Sequence, residues 1–98
     1  MDLSINEGTL VVTGGPGDTI DTAIVVKKTP RGMTAAAAEY LFLSRRFGIR
    51  DQTWRLERQD LITKDGRTFD TFQIRLADGS SREVFFDVTD WLAHVQQV

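Results

Sequence analysis

The chain has 98 residues, of which 41% are hydrophobic and 27% charged, a balance typical of a single globular domain over residues 1–98. It contains no cysteine, which excludes disulfides, thiolate nucleophiles and cysteine-based metal sites. The formal net charge is only −2, but between residues 27 and 58 lysine and arginine outnumber the acidic residues by eight to three.

The amino-terminal residues carry no targeting signal that can be recognised. Residues 1–6 lack the basic and apolar regions of a signal peptide, and no apolar stretch of the chain reaches the length of a membrane span. We therefore expect a cytoplasmic protein with no membrane partner.

The first 30 residues predict strands and a loop. Alternating Leu3 and Ile5, followed by a turn and a β-branched run over residues 9–13, indicate a hairpin. The segment from Gly14 to Thr19 resembles a phosphate-binding loop in composition only, because it lacks the Gly-Lys-Ser/Thr sequence that such a loop requires. We interpret it as a connecting loop that leads to a buried strand over residues 23–26.

A helix is predicted over residues 35–47. Thr34 can cap its start, Gly48 can end it, and no glycine, proline or β-branched residue interrupts it. Apolar residues recur at helical spacing and predict the stripe that faces the sheet: Ala36, Tyr40, Leu43 and Phe47.

Two Asp-Gly pairs predict a three-stranded meander over residues 53–87. Asp65-Gly66 and Asp78-Gly79 each lie between alternating runs, which is the strongest short signal of a two-residue hairpin turn. In a regular strand Trp54 and Leu56 would point to one face and Leu61 to the other, because side chains alternate. The first strand of the meander should therefore contain a bulge or a change of burial between them.

The last residues predict a short helix, with Asp87 as its N-cap and a staple between Phe86 and Trp91. The elements together predict an α+β fold. A mainly antiparallel sheet of about five strands, including the meander, packs against one main helix, and the short helix follows at the carboxyl end.

The main helix has more apolar surface than one stripe can use. Leu41 and Phe42 lie far from the predicted stripe, so either other parts of the monomer cover them or they face a partner. The leading hypothesis is a non-enzymatic interaction module that binds a protein, or a second copy, through Leu41, Phe42 and Arg45. An exposed edge of the meander is the second candidate surface.

An arginine cluster supports the alternative from another functional class. Guanidinium groups match phosphate geometry and an indole can stack on a base, so a phosphorylated ligand or a nucleic acid could bind at Arg45, Arg46, Arg50 and Trp54. Nucleic acid is the less favoured partner, because the chain is acidic overall and exposed arginines are common on solvated faces.

The remaining polar residues predict no catalytic, cofactor or metal site. His94 is the single histidine, and it lies near the chain end without a nucleophile signature elsewhere. Several aspartates are explained by turns or helix caps, and their spacing predicts no convergence on one cavity. We therefore expect a protein that is not an enzyme and needs no cofactor.

Overall fold

The computed structural model describes residues 5–7 and 10–95 of the chain. Within these ranges two helices and one 3₁₀ turn, Ile20–Thr22, accompany the strands. The elements in chain order are β1 (Ile5–Glu7), β2 (Leu10–Gly14), β3 (Ile24–Lys28), α1 (Ala35–Phe47), β4 (Trp54–Lys64), β5 (Arg67–Leu76), β6 (Ser81–Asp87) and α2 (Thr89–Val95). Of the turn predicted over residues 6–8, Asn6 and Glu7 belong instead to β1, and Gly8 lies outside the described residues, as does Leu3.

All strands belong to one sheet in the order β1-β2-β3-β6-β5-β4. Neighbouring strands are antiparallel except β3 and β6, which run parallel with Ile24 opposite Phe86. This pair joins the amino-terminal strands to the meander. The predicted α+β class, the meander, the main helix and the short final helix are confirmed, and the described sheet has six strands.

The two predicted hairpin turns differ in length. Asp65 and Gly66 have φ of 53° and 77° and connect β4 to β5 directly, as a two-residue turn requires. The second connection is longer, because β5 ends at Leu76 and only Gly79 has a positive φ, 87°. The prediction of a two-residue turn is therefore wrong there. The chain closes instead through a hydrogen bond from the Leu76 N–H to the Ser80 carbonyl, 2.8 Å.

Helix α1 begins and ends as predicted but presents a different face to the sheet. The Thr34 hydroxyl accepts a hydrogen bond from the Ala37 N–H at 3.1 Å, and Gly48 follows the last turn with φ of 97°. The predicted stripe leaves out Glu39, because a charged residue is expected to face solvent. In the structure Glu39 is buried against the sheet. The buried face is Ala35, Ala38, Glu39, Phe42 and Leu43.

The core lies between one face of the sheet and the two helices. Phe72 on β5 and Phe86 on β6 meet edge to face with ring centroids 5.3 Å apart, and Phe42 packs on Phe86 in the same manner. Trp91 of α2 packs against this core and donates from its indole nitrogen to the Thr29 hydroxyl at 2.9 Å. We call this side of the sheet the helix face.

The bulge in β4 is confirmed. The pairing with β5 shifts between Leu56 and Arg58. Because the side-chain alternation restarts after the shift, Leu61 returns to the same face as Trp54 and Leu56. The bulge therefore sets which side chains the outer half of β4 presents on the helix face.

The predicted cap of α2 is displaced by one residue. Asp87 is the last residue of β6, and Val88 separates it from the helix, which begins at Thr89. The Asp87 carboxylate still accepts the Thr89 N–H at 3.0 Å, and it also accepts the Arg67 Nε at 2.6 Å. The ion pair with the neighbouring strand keeps Asp87 in the sheet.

Candidate functional site at the free edge of the sheet

The structure separates the three residues of the predicted helix interface. Phe42 is 3% exposed and packs on Phe86, so it is a core residue and its place in the predicted interface is corrected. Leu41 is half-buried against the same core, and Arg45 is exposed. Tertiary packing rotated α1 so that Phe42 faces the sheet.

The arginine cluster is divided between two separate contacts. The Arg46 guanidinium donates to the Pro16 carbonyl, lies 3.6 Å from an Asp18 carboxylate oxygen and covers the Phe47 ring. Arg46 therefore ties α1 to the glycine-rich loop and has little capacity left for a phosphate.

Arg50 and Trp54 are occupied as well. The Arg50 guanidinium stacks over the Tyr40 ring, 4.8 Å from its centroid. Trp54 is 2% exposed, and its indole N–H donates to the Gly48 carbonyl at 2.8 Å, so it offers no surface on which a base could stack. The predicted anion site is thus not assembled around Trp54.

The glycine-rich segment is a loop, as predicted, and it packs against β6. Gly17 donates its N–H to the Thr22 carbonyl at 2.8 Å and accepts the Phe85 N–H at the same distance. A Cβ on Gly17 would lie 2.6 Å from Ile24 Cδ1, so close packing and the φ of 86° both explain the glycine. The Gly17 N–H is therefore not available to an anion.

The outer edge of β4 is the candidate functional site. Among the described strands β4 is the last of the sheet and pairs with β5, and its other side has an isolated bridge between Trp54 and Arg50 at the start of the strand. In a two-residue hairpin the residues beside the turn form a hydrogen-bonded pair, and such pairs alternate along the strands. Lys64 and Arg67 flank the turn, so the N–H and C=O groups of Gln59, Leu61 and Thr63 point away from β5.

The edge is open over its second half. Near its start the Asp51 N–H donates to the Trp54 carbonyl at 2.6 Å, so a local loop covers that end. Beyond the bulge, Leu61 is 66% exposed and Ile62 is 37% exposed. Ile49 is the one other large hydrophobic residue so exposed in the described part of the chain. Exposed apolar side chains therefore coincide with unpaired backbone groups.

A buried acid lies close to this edge. Glu39 of α1 is completely buried, and as an ionised carboxylate it would have no hydrogen-bond donor for either oxygen. Burial, followed by a hydrogen bond to the Asp70 side chain on β5 and by the charge of Asp70, raises the pKa of Glu39 to about 10, so the group is protonated at neutral pH. The protonated Glu39 carboxyl therefore donates to Asp70, and the pair retains the negative charge of Asp70.

The register places this acid pair, Glu39 and Asp70, directly behind the exposed part of the edge. Asp70 pairs with Leu61 on β4 and with Phe86 on β6, so it lies one strand from the free edge. Asp70 is half-buried, and it shares the helix face with Leu61. None of the ion pairs between described residues includes either acid.

Two ion pairs lie on the opposite face of the sheet. The Arg58 Nε lies 2.6 Å from the Asp60 carboxylate, and Arg75 contacts Glu57 at 3.1 Å. A cleft of about 450 Å³ lies beside these residues and is lined mainly by polar side chains. The acid pair on the helix face differs from these groups, because no cation of the described residues offsets it.

A second cleft, of about 330 Å³, contains a structural ion pair. Burial of Asp87 opposes its ionisation, but hydrogen bonds from Arg67 and Thr89 outweigh this cost and lower the pKa of Asp87. The same hydrogen bond raises the pKa of Arg67. Since the two groups neutralise each other and hold α2 against β5, we assign them to the fold.

Comparison with protein-family models, with curated proteins and with solved structures finds no match for this chain. Within residues 5–7 and 10–95, no three or more histidine, cysteine, aspartate or glutamate residues are grouped to hold a metal ion. No described helix has both the length and the apolar character needed to cross a bilayer.

The buried acid was missed by the sequence reasoning, although the sequence contains a signal for it. Ala35, Ala38 and Phe42 recur at helical spacing, and Glu39 lies between the last two on the same face. A charged residue inside an apolar stripe indicates either a register error or a buried acid, and the structure shows a buried acid.

Proposed function

We propose that this protein is a non-enzymatic interaction module that binds an extended segment of another protein by adding it to the free edge of β4. The observation that carries this proposal is the coincidence, on one edge, of outward backbone groups and exposed Leu61 and Ile62. In strand addition, backbone hydrogen bonds supply affinity and alternate side chains supply specificity. A cytoplasmic location, expected from the sequence, is part of this proposal.

A second copy of the chain is the alternative occupant of this edge, and its charges favour one register only among the central ones. Antiparallel pairing with Leu61 on the two-fold axis places Arg58 opposite Lys64 twice, and pairing with Asp60 on the axis opposes two carboxylates. Pairing with Ile62 on the axis places Asp60 opposite Lys64 twice, which is favourable. Like charges directly opposite each other destabilise a strand pair, so the homodimer depends on this register and is the second candidate after a heterologous protein partner.

The hypothesis of a phosphorylated ligand or nucleic acid ranks below both. Arg46 and Arg50 already contact the loop and an aromatic ring, and Trp54 is buried. A ligand there would first have to displace these contacts, which adds a cost that the edge of β4 does not carry.

Selection from a displayed library of random nine-residue peptides, followed by NMR of the full chain with the selected peptides, tests the proposal. We expect slowed hydrogen exchange at the amides of Gln59, Leu61 and Thr63 when peptide is bound. Thr63→Pro removes one outward N–H without breaking a bond to β5, and we expect it to weaken binding at least tenfold. Ile49→Ser, at the exposed apolar residue outside the edge, is the matched control and should bind normally.

Two results would overturn the proposal. One is a selection that yields no peptide whose binding protects these three amides. The other is equal binding by Thr63→Pro and the unchanged chain, with both folded by circular dichroism, since the edge would then contribute no hydrogen bonds.

A further inference from the structure

The acid pair behind the edge gives the proposed partner a chemical identity. We propose that Asp70 and Glu39 form a subsite for one cationic side chain, lysine or arginine, of the segment that adds to β4. This inference rests on the proposed function and specifies its ligand. The segment is thus an extended peptide with a basic residue opposite Leu61, on the helix face.

The acid pair carries a negative charge that no described cation offsets. Glu39 is completely buried and hydrogen-bonds through its protonated carboxyl to Asp70, which is half-buried. A partly buried charge without an opposite charge nearby costs free energy. A cation from outside the chain lowers this cost, because none of the ion pairs between described residues includes either acid.

A basic side chain on the added strand can reach Asp70 from the edge. Adjacent strands lie about 4.8 Å apart, so a residue opposite Leu61 on an added strand lies about 10 Å from the Asp70 backbone. Lysine and arginine have long stems that cover an apolar neighbour while the charged group extends beyond it. Leu61 is 66% exposed and Asp70 is half-buried, so both residues that the basic side chain must contact are accessible to solvent in part.

The acid pair also selects among side chains by their charge. An acidic residue at the same position would lie near the like charge of Asp70, and an apolar residue would leave that charge without a counterion. The opposite face offers no comparable preference, because Arg58 and Asp60 already neutralise each other. Charge complementarity therefore identifies one position and one charge in the partner.

Binding should also change the protonation of the buried acid. Of the described titratable groups, Asp70 is the one that perturbs Glu39, and its charge disfavours the Glu39 carboxylate. A cation at Asp70 offsets this repulsion and favours ionisation, with the released proton passing to solvent. Occupation of the subsite thus has a spectroscopic signature at a residue that the peptide backbone does not touch.

The experiment uses the selected peptides and the intact protein. For a peptide with lysine opposite Leu61, we compare the lysine and glutamine forms against the unchanged chain and against Asp70→Asn. We expect the lysine form to bind the unchanged chain about tenfold more tightly, as a charge-assisted hydrogen bond predicts, and the two forms to bind Asp70→Asn equally. The ¹³C carboxyl resonance of Glu39 should titrate at lower pH with the lysine form than with the glutamine form.

Each outcome separates this inference from the proposed function. Equal affinity of both peptide forms for the unchanged chain, with the edge amides protected, overturns the cationic subsite and leaves strand addition intact. Loss of amide protection with every selected peptide overturns strand addition itself. Glu39→Gln is the second variant: it should retain tighter binding of the lysine form through Asp70, and equal binding of both forms would overturn the inference.

Discussion

Replacement of Glu39 by glutamine should stabilise the protein, and increasingly so as the pH rises. The two side chains have nearly the same shape, but only glutamate ionises. The pKa of Glu39 is about 10 in the folded chain and 4.5 in the reference state, so the folded state retains a proton that the unfolded state releases. The native stability is therefore greatest below the unfolded pKa and is lost as the pH rises toward the folded pKa.

The magnitude follows from the gap between the two pKa values. Each pH unit between 4.5 and about 10 costs the unchanged protein about 1.4 kcal/mol of unfolding free energy. At pH 7 the accumulated cost is about 3 kcal/mol, a large part of the stability of a domain this size. Glu39→Gln avoids this cost, so the two proteins should be similar near pH 4.5 and diverge above it.

Urea unfolding at a series of pH values from 5 to 8.5 measures the effect. The difference in unfolding free energy between Glu39→Gln and the unchanged chain should grow with a slope of about 1.4 kcal/mol per pH unit. Glu83→Gln makes the same chemical change at an exposed position of β6 and serves as the matched control. A pH-independent difference, or equal slopes for Glu39→Gln and Glu83→Gln, would refute the raised pKa of Glu39.

Three further predictions concern the burial of Phe42 and Leu61, the turn at Gly66 and the carboxylate of Asp87. Phe42→Ala should lower the free energy of unfolding by about 3–5 kcal/mol, whereas Leu61→Ser should change it by about 0.5 kcal/mol or less. Urea unfolding measures both values, and similar losses for the two variants would contradict the assigned burial. Gly66→Ala should lower the free energy of unfolding by about 1 kcal/mol, because alanine disfavours the positive φ of 77° at this position. Thermal unfolding measures the effect, and unchanged stability would contradict it. The hydrogen bonds that lower the pKa of Asp87 stabilise the native state above the ordinary aspartate pKa, and this stabilisation is lost on acidification. Asp87→Asn should therefore flatten the acid limb of a pH–stability curve. An acid limb identical to that of the unchanged chain would exclude this contribution.

The sequence by itself determined the local features of the fold. The turn at Asp65-Gly66, the cap at Thr34 and the end of α1 at Gly48 depend on residues a few positions apart, and the structure confirms each of them. The bulge in β4 was also readable, because a break in side-chain alternation is visible in the linear pattern. The second Asp-Gly pair shows the limit even here, since the same dipeptide closes loops of different length.

Tertiary structure alone decided the rotation of α1 and the joining of the sheet. The parallel pairing of β3 with β6 connects segments about 60 residues apart, and no local signal specifies it. The same packing places Phe42 in the core and buries Glu39 beside Asp70. It also brings Arg46 to the Pro16 carbonyl and Arg50 to the Tyr40 ring. Local propensity sets backbone geometry, but burial depends on which distant surfaces meet. The candidate site therefore became visible only once β5 had placed Asp70 one strand behind the free edge.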